Sequence, residues 1–437
     1  FFGRNIMNML YGYTLPYSLL GLFGLYYILL SINSCLMGYY QGIGYSGFCI
    51  IGEILESLVL IGLSPIIVSR MYAYGTKVAA LLKEPLYANL NGAIGGIITQ
   101  CIGIILSSIV VIAGLVLIHQ NNRENYDVGG LKTREAFVKN YIRVNNGVLE
   151  DRIVPLIMLL AMAILFIKEG ATLAVDAKEL FTGIGVFAGK YLVVMLVPLV
   201  YFIEYVERER RRIRSDHSKE ERKNIRIRAG YLLKNTMYIM LPVCATAITL
   251  AKPIVMIFFG GRMSLGVVMV RQGGIVILLA ALCYSLRAIL KGVKLQLYGT
   301  IAALIGFVAM IAFLMSSISS GVNINLLVYS VIVYYLIQVM ALCVLVYKVE
   351  ELLIFDIGIK WAKVAVGTSI LIIAEAVLDK FIVMNVAFLL LTLVISYALY
   401  FATMGVLKGL SKKDINSLKG TLSYYPSYIA ANLFDGR

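Results

Sequence analysis

Tyr191-Leu-Val-Val-Met-Leu-Val-Pro-Leu-Val-Tyr-Phe-Ile-Glu-Tyr205, then Arg208-Glu-Arg-Arg-Arg-Ile-Arg214 within a cation-rich block that reaches Arg228, then the apolar run from Leu232 to Phe259 with Pro242 and Pro253 inside it: this stretch decides the fold. Two apolar runs of this length joined by a polybasic segment read as a transmembrane hairpin whose turn stays on the cytoplasmic side. The orientation of every other span follows from that placement.

Composition agrees. Hydrophobic residues make up 60% of the chain and charged residues 14%, with a mean hydropathy of +0.87. A soluble domain is nearer a quarter charged, so lipid is the expected solvent. The formal net charge of +15 would suggest nucleic acid in a soluble protein. Here most cations lie between apolar runs, where the positive-inside bias accounts for them and no nucleic-acid partner is implied. A basic inner face also attracts anionic headgroups, so membrane lipids are expected partners.

Eleven runs are long enough to cross a bilayer: approximately 17–38, 47–69, 88–118, 151–167, 181–205, 232–258, 267–290, 298–318, 325–347, 360–378 and 383–406. The expected fold class is therefore all-α, a polytopic membrane protein. With the 206–231 loop inside, Lys and Arg are about three times as numerous in inside segments as in outside ones. Basic segments 119–150 and 206–231 and the C-terminal tail are then cytoplasmic. The same parity puts Phe1 outside, which an odd number of preceding spans would repair.

Within the 119–150 segment, Thr133 could cap a short amphipathic helix carrying Phe137, Tyr141 and Ile142 on one face. Ser411-Lys-Lys-Asp414 opens a similar helix in the tail. Gly21 with Gly24 and Gly92 with Gly96 are expected at close helix contacts.

Charges inside spans are costly and mark functional candidates. Glu53 and Glu56, three apart on one helical face, are candidates for binding a cation or proton, or for a gate. An interhelical pair with a basic residue is the plainer alternative. Lys190 falls near the middle of its span and could meet an anionic group such as a lipid diphosphate. Arg271 lies one turn into its span and either faces the same cavity or snorkels outward. Snorkelling is also the expectation for Arg287, Lys252 and Lys168 near span ends. Glu204 is expected in a surface ion pair, and Glu375 has no assigned role.

Other chemistry is not signalled. The six cysteines form no CxxC pair, and His119 and His217 have no third ligand nearby, so no metal and no cofactor is expected. There is no Walker loop, HExxH or GxSxG, and no large outside domain. An enzyme is not expected.

Two motifs carry a family resemblance. Met37-Gly-Tyr-Tyr-Gln-Gly-Ile-Gly44, followed by Ile51-Gly-Glu-Ile-Leu-Glu56, resembles the Gly-Tyr-x-Gln-Gly…Glu stretch of stage V sporulation protein B-like proteins. Those belong to the polysaccharide-biosynthesis group of the multidrug/oligosaccharidyl-lipid/polysaccharide (MATE-like) exporter superfamily. Leu241-Pro-Val-Cys-Ala and Leu250-Ala-Lys-Pro-Ile-Val-Met-Ile-Phe-Phe-Gly-Gly261 are similar to that group's Leu-Pro…Leu-Ala-x-Pro-Ile…Phe-Gly span. Where the family often has proline after its Gly-Gln-Gly turn, this chain has Tyr45-Ser-Gly-Phe48.

The resemblance implies fourteen helices in two six-helix lobes plus an added pair. The eleven runs here would be the last eleven, with three N-terminal helices missing. It divides the chain into a partial N-terminal lobe (1–118), a cytoplasmic loop (119–150), a C-terminal lobe (151–347), an extra helix pair (348–406) and a tail (407–437).

It also implies function: a monomeric plasma-membrane flippase for a lipid-linked oligosaccharide or related envelope precursor. Two lobes would rock around a central cavity, with a monovalent cation or proton as a possible coupling ion. An ion-coupled multidrug antiporter of similar fold is the alternative within transport. A non-transporting scaffold or an intramembrane transferase of envelope assembly lies outside it.

Overall fold

The computed structural model describes residues 17–43, 47–84, 86–121, 153–173, 177–259, 264–318, 323–350, 354–380, 385–409, 411–418, 421 and 423–434. The helix expected around Thr133 and the glycines at 44, 260 and 261 lie outside them. The described residues are helical throughout, apart from turns, and contain no strand. Ten helices among them are long and apolar enough to cross a membrane. The chain is an all-α, multi-pass membrane protein by this measure.

Among the described residues sixteen α-helices run in order: α1 Tyr17–Ile43, α2 Gly47–Leu82, α3 Leu86–Asn121, α4 Val154–Thr172, α5 Ala177–Val186, then a π-helical turn Phe187–Tyr191, α6 Leu192–Ser218, α7 Arg222–Thr249, α8 Ala251–Phe259, α9 Ser264–Gly273, α10 Ile275–Gly292, α11 Gln296–Ile318, α12 Asn325–Glu350, α13 Ile354–Asp379, α14 Val386–Val406, α15 Lys412–Ser417 and α16 Tyr424–Phe434. They fall into two compact units, residues 1–134 and 135–437.

In the first unit α3 packs along α2 and against α1. Its cores are small: Leu19, Ile97 and Cys101 in one, Tyr40, Cys49 and Val111 in the other. The Tyr40 hydroxyl crosses helices to the Val111 carbonyl at 2.7 Å. Of the glycines expected from spacing, Gly92 lies against Tyr72 of α2. Gly21, Gly24 and Gly96 face open space, while Gly75 and Gly95 sit against the partner helix. Spacing shows which glycines share a face of a helix, and the neighbouring helix decides which of them it touches.

The second unit is organised around α10. Every residue from Val276 to Leu290 except Tyr284 is buried, and α6, α7, α11 and α12 all pack on it. Helix α13 packs on α7 and on α14, and α16 lies on α14.

The expected span 151–167 falls on α4, which is not one of the ten found among the described residues. Two other expectations need correction. The 206–231 segment is not a loop. Helix α6 continues to Ser218 and α7 begins at Arg222, leaving a turn in which Glu220 has φ 60°. The reason is its charge pattern: Glu207 with Arg210 and Glu209 with Arg212 are i,i+3 ion pairs, which support a helix, and Asp216 bonds Arg228 across the turn. The expected spans 232–258 and 267–290 are each broken in two, after Thr249 and after Gly273.

Candidate functional site

The second unit holds a cavity of about 360 Å³ between α6, α7, α14 and the start of α16. Its position follows from sequence. Pro198 in α6 and Pro242 in α7 both line it, and each proline removes a helix hydrogen bond and crowds the preceding turn. The walls are aromatic, with Tyr201, Phe202, Tyr205, Tyr238, Tyr400 and Phe401 prominent. Glu204 and Arg208, one turn apart on α6, lie at one end. The Arg208 guanidinium is 5.9 Å from the Tyr205 ring centroid, within cation–π range.

Polar bonds fix this wall. Asn235 Nδ2 donates to the Tyr205 hydroxyl at 2.8 Å and to Ser417 Oγ at 2.7 Å. The Tyr238 and Ser427 hydroxyls are 2.7 Å apart, and the Tyr400 hydroxyl donates to the Tyr238 carbonyl at 2.8 Å. The tail helices α15 and α16 are thus pinned to α7. A second cavity of about 330 Å³ shares Tyr238 and Phe401 with the first and adds Lys360, Lys408 and Ser411.

Beside the second cavity Asp414 is fully buried. Its carboxylate pairs with the Lys360 ammonium and closes a capping box with Ser411. Burial pushes this carboxyl up, but the Lys360 and Ser411 hydrogen bonds outweigh it, and it lies below the ordinary aspartate range.

Above the aromatic wall sits a buried acid. Glu375 of α13 is fully buried. Thr246 Oγ1 of α7 donates to its Oε1 at 2.7 Å, and Thr249 Oγ1 bonds its Oε2. Tyr397 of α14 borders the bundle cavity. No ion pair holds Glu375 among the described residues.

The four residues singled out from sequence lie elsewhere. Lys190 sits partly exposed on the π-helical turn, with Nζ 5.9 Å from the Phe259 ring centroid and its stem beside Gly266 of α9. The turn is fastened to α9 by the Tyr191 hydroxyl, which donates to the Gly273 carbonyl at 3.1 Å. Arg271 is exposed near the end of α9. Neither lines the two cavities above. Glu53 is exposed and Glu56 half-buried, Glu56 lying against Gly103 of α3. Neither is in an ion pair among the described residues.

Two residues exceed what sequence suggested. Arg287 does not snorkel: it is among the most buried side chains in the structure, its guanidinium centre 4.7 Å from the Tyr284 ring centroid and its Nε donating to the Cys283 carbonyl at 3.3 Å. Burial of α10 on all sides removes any route to water. Glu375, which had no role, gains one from Thr246 and Thr249, more than 120 residues away in sequence. Glu204 lines the cavity beside Arg208 instead of forming a surface pair.

The chain matches no protein-family profile, no curated protein and no solved structure.

Proposed function

We propose that this membrane protein is a transporter that carries an anionic amphiphile, a lipid-linked oligosaccharide or related envelope precursor, across the plasma membrane. The observation that supports this most is the aromatic cavity ending at Glu204 and Arg208. Aromatic walls suit an apolar chain, and an arginine at the mouth suits a diphosphate. An apolar body with a small number of placed polar groups is the usual make-up of a ligand site.

Lys190 extends the reading. It lies 18 residues before Arg208, or about 27 Å along the helix at ~1.5 Å per residue. One diphosphate cannot touch both. The two cations would serve successive positions of the headgroup along its path, with Arg271 exposed on α9, the helix beside Lys190. Alternating exposure of the site to the two sides completes the cycle. Each exposure must bind the headgroup with different affinity for the cycle to be driven. Glu53 and Glu56 are proposed to bind the coupling cation or proton. The basic ends of α6 and α7 that flank their turn, and the tail, would face the cytoplasm.

A second reading is an ion-coupled antiporter of organic cations, favoured by one observation: the fully buried Glu375.

Photo-crosslinking separates them. A diazirine-bearing polyprenyl diphosphate, irradiated with the reconstituted protein, should label peptides spanning 198–208 or 397–401. Labelling of neither, with an aryl-ammonium probe labelling the peptide around 375 instead, would favour the antiporter.

A further inference from the structure

We propose that the second cavity, the one beside Asp414, binds the phosphodiester headgroup of an anionic phospholipid. Lys360 of α13 and Lys408, two residues past the end of α14, both line it. Lys360 is the third residue of the apolar span Gly358–Asp379, and Lys408 follows the span Val386–Val406. The Lys363 ammonium donates to the Lys408 carbonyl at 3.5 Å, so these two span ends meet. A cavity at the ends of two spans lies at the depth of the lipid headgroups.

Positive charge is available there. An ammonium has three protons. Lys360 gives one to the Asp414 carboxylate, and two remain. Lys408 is exposed and in no ion pair among the described residues. Asp414 offsets Lys360, and Lys408 and Lys363 leave the site with a net positive charge. The two serine hydroxyls of the wall are engaged elsewhere: Ser411 Oγ bonds Asp414, and Ser427 Oγ bonds the Ser423 carbonyl. Recognition therefore falls to the lysines, which bind phosphate as point charges.

The rest of the wall is apolar, with Phe401, Met404 and Ile415. Small residues, Gly405 on α14 and Ala430 and Ala431 on α16, keep open a space of about 330 Å³, within the usual range of ligand sites. A free phosphate gains nothing from an apolar wall. A phospholipid does, because the carbons next to its headgroup leave water there. A zwitterionic headgroup would bring a further ammonium up to the lysines, and like charges repel. The lipid would touch α13, α14 and α16 at once, and so fasten the tail to the bundle beside the Lys360–Asp414 pair. It is a lipid held in place and not the cargo, and the site stands without the transport reading.

Trp361, next to Lys360, is the single tryptophan of the chain and serves as the reporter. The full chain is reconstituted in phosphatidylcholine vesicles holding a minor fraction of phosphatidylglycerol, with bromine on the acyl chains of one lipid or the other. Bromine quenches tryptophan at short range. Brominated phosphatidylglycerol should quench Trp361 well beyond its share of the bilayer, and brominated phosphatidylcholine only in proportion to its own. Lys408→Gln should lower this preference about fivefold, the loss of one cation near a charged headgroup, and Lys408→Arg should retain it. Lys408 is exposed and outside the helices, so both variants keep the fold. Ala431→Leu fills the cavity without changing any charge and should also lower the preference. Equal quenching by the two lipids in the wild type overturns the proposal. So does a preference that Lys408→Gln and Ala431→Leu both keep, which assigns it to the basic membrane face at large. So does quenching relieved by inorganic phosphate but not by chloride at matched ionic strength, which assigns the cavity to a soluble anion.

Discussion

The Lys360 ammonium is bonded to the Asp414 carboxylate, and this pair ties the first turns of α13 to the tail helix α15. Asp414 has no exposure, whereas Lys360 is a quarter exposed. Removing the lysine leaves a buried anion without its counter-charge, which costs about 3 kcal/mol. Lys360→Ala should therefore free the tail, read as faster proteolysis after Lys408. The pH dependence has a definite sign. The folded-state carboxyl titrates below its ordinary value, so the pair's stabilisation is full above that ordinary range. It is lost as acid carries the pH down through the folded value. Tail proteolysis should be flat from neutral pH to about 4 and rise below it.

Tyr191 and Gly273 join the π-helical turn to the break between α9 and α10. A side chain on residue 273 would strike both the Tyr191 ring and Val328. Gly273→Val should lower stability by about 1–3 kcal/mol, the usual cost of overpacking. Tyr191→Phe should lose only one hydrogen bond, about 1 kcal/mol. Detergent-phase melting of the two variants checks the order.

Asn235 serves two partners on different elements, Tyr205 and Ser417. Asn235→Leu should cost about 1–3 kcal/mol, because it leaves the buried Tyr205 hydroxyl without its donor. Tyr205→Phe in the same background should recover part of that loss, since replacing both partners by apolar groups is milder than removing one. A double-mutant melting cycle reads the coupling.

Arg287 is buried in α10 under helices on every side. Arg287→Met keeps much of the stem and removes the charge, and Arg287→Ala also opens a cavity. The alanine variant should be the worse by about 2 kcal/mol, the cost of an emptied large-side-chain site. Folded yield and melting temperature in detergent check it.

The helices and the membrane class were legible because apolar length is a local property: Leu232 to Phe259 declares itself without reference to any other residue. The helical turn between α6 and α7 was legible only in part. Its arginines signal an inner face, but the i,i+3 pairing of Glu207 and Glu209 with Arg210 and Arg212 also extends the helices through it. The capping box at Ser411 and Asp414 could be read from spacing, and it is present. What could not be read is which helices touch. Glu375 is one acid in an apolar run, and nothing local ties it to Thr246 and Thr249. Arg287 sits near the end of its run, where a free side chain would reach water, and only the packing of α6, α7, α11 and α12 around α10 closes that route. The aromatic cavity needs α6, α7 and α14 together, so its residues are scattered over 200 positions in the chain.

The transport claim is tested most directly by translocation in proteoliposomes. A fluorescent polyprenyl-diphosphate sugar is loaded, and its exposure to an external quencher or glycosidase is followed with time. The account predicts protein-dependent flipping that falls about tenfold in Arg208→Ala and in Lys190→Ala, the loss expected for one charge-assisted contact of about 1.5 kcal/mol. Flipping no faster than in protein-free vesicles, from a well-folded sample, would contradict it.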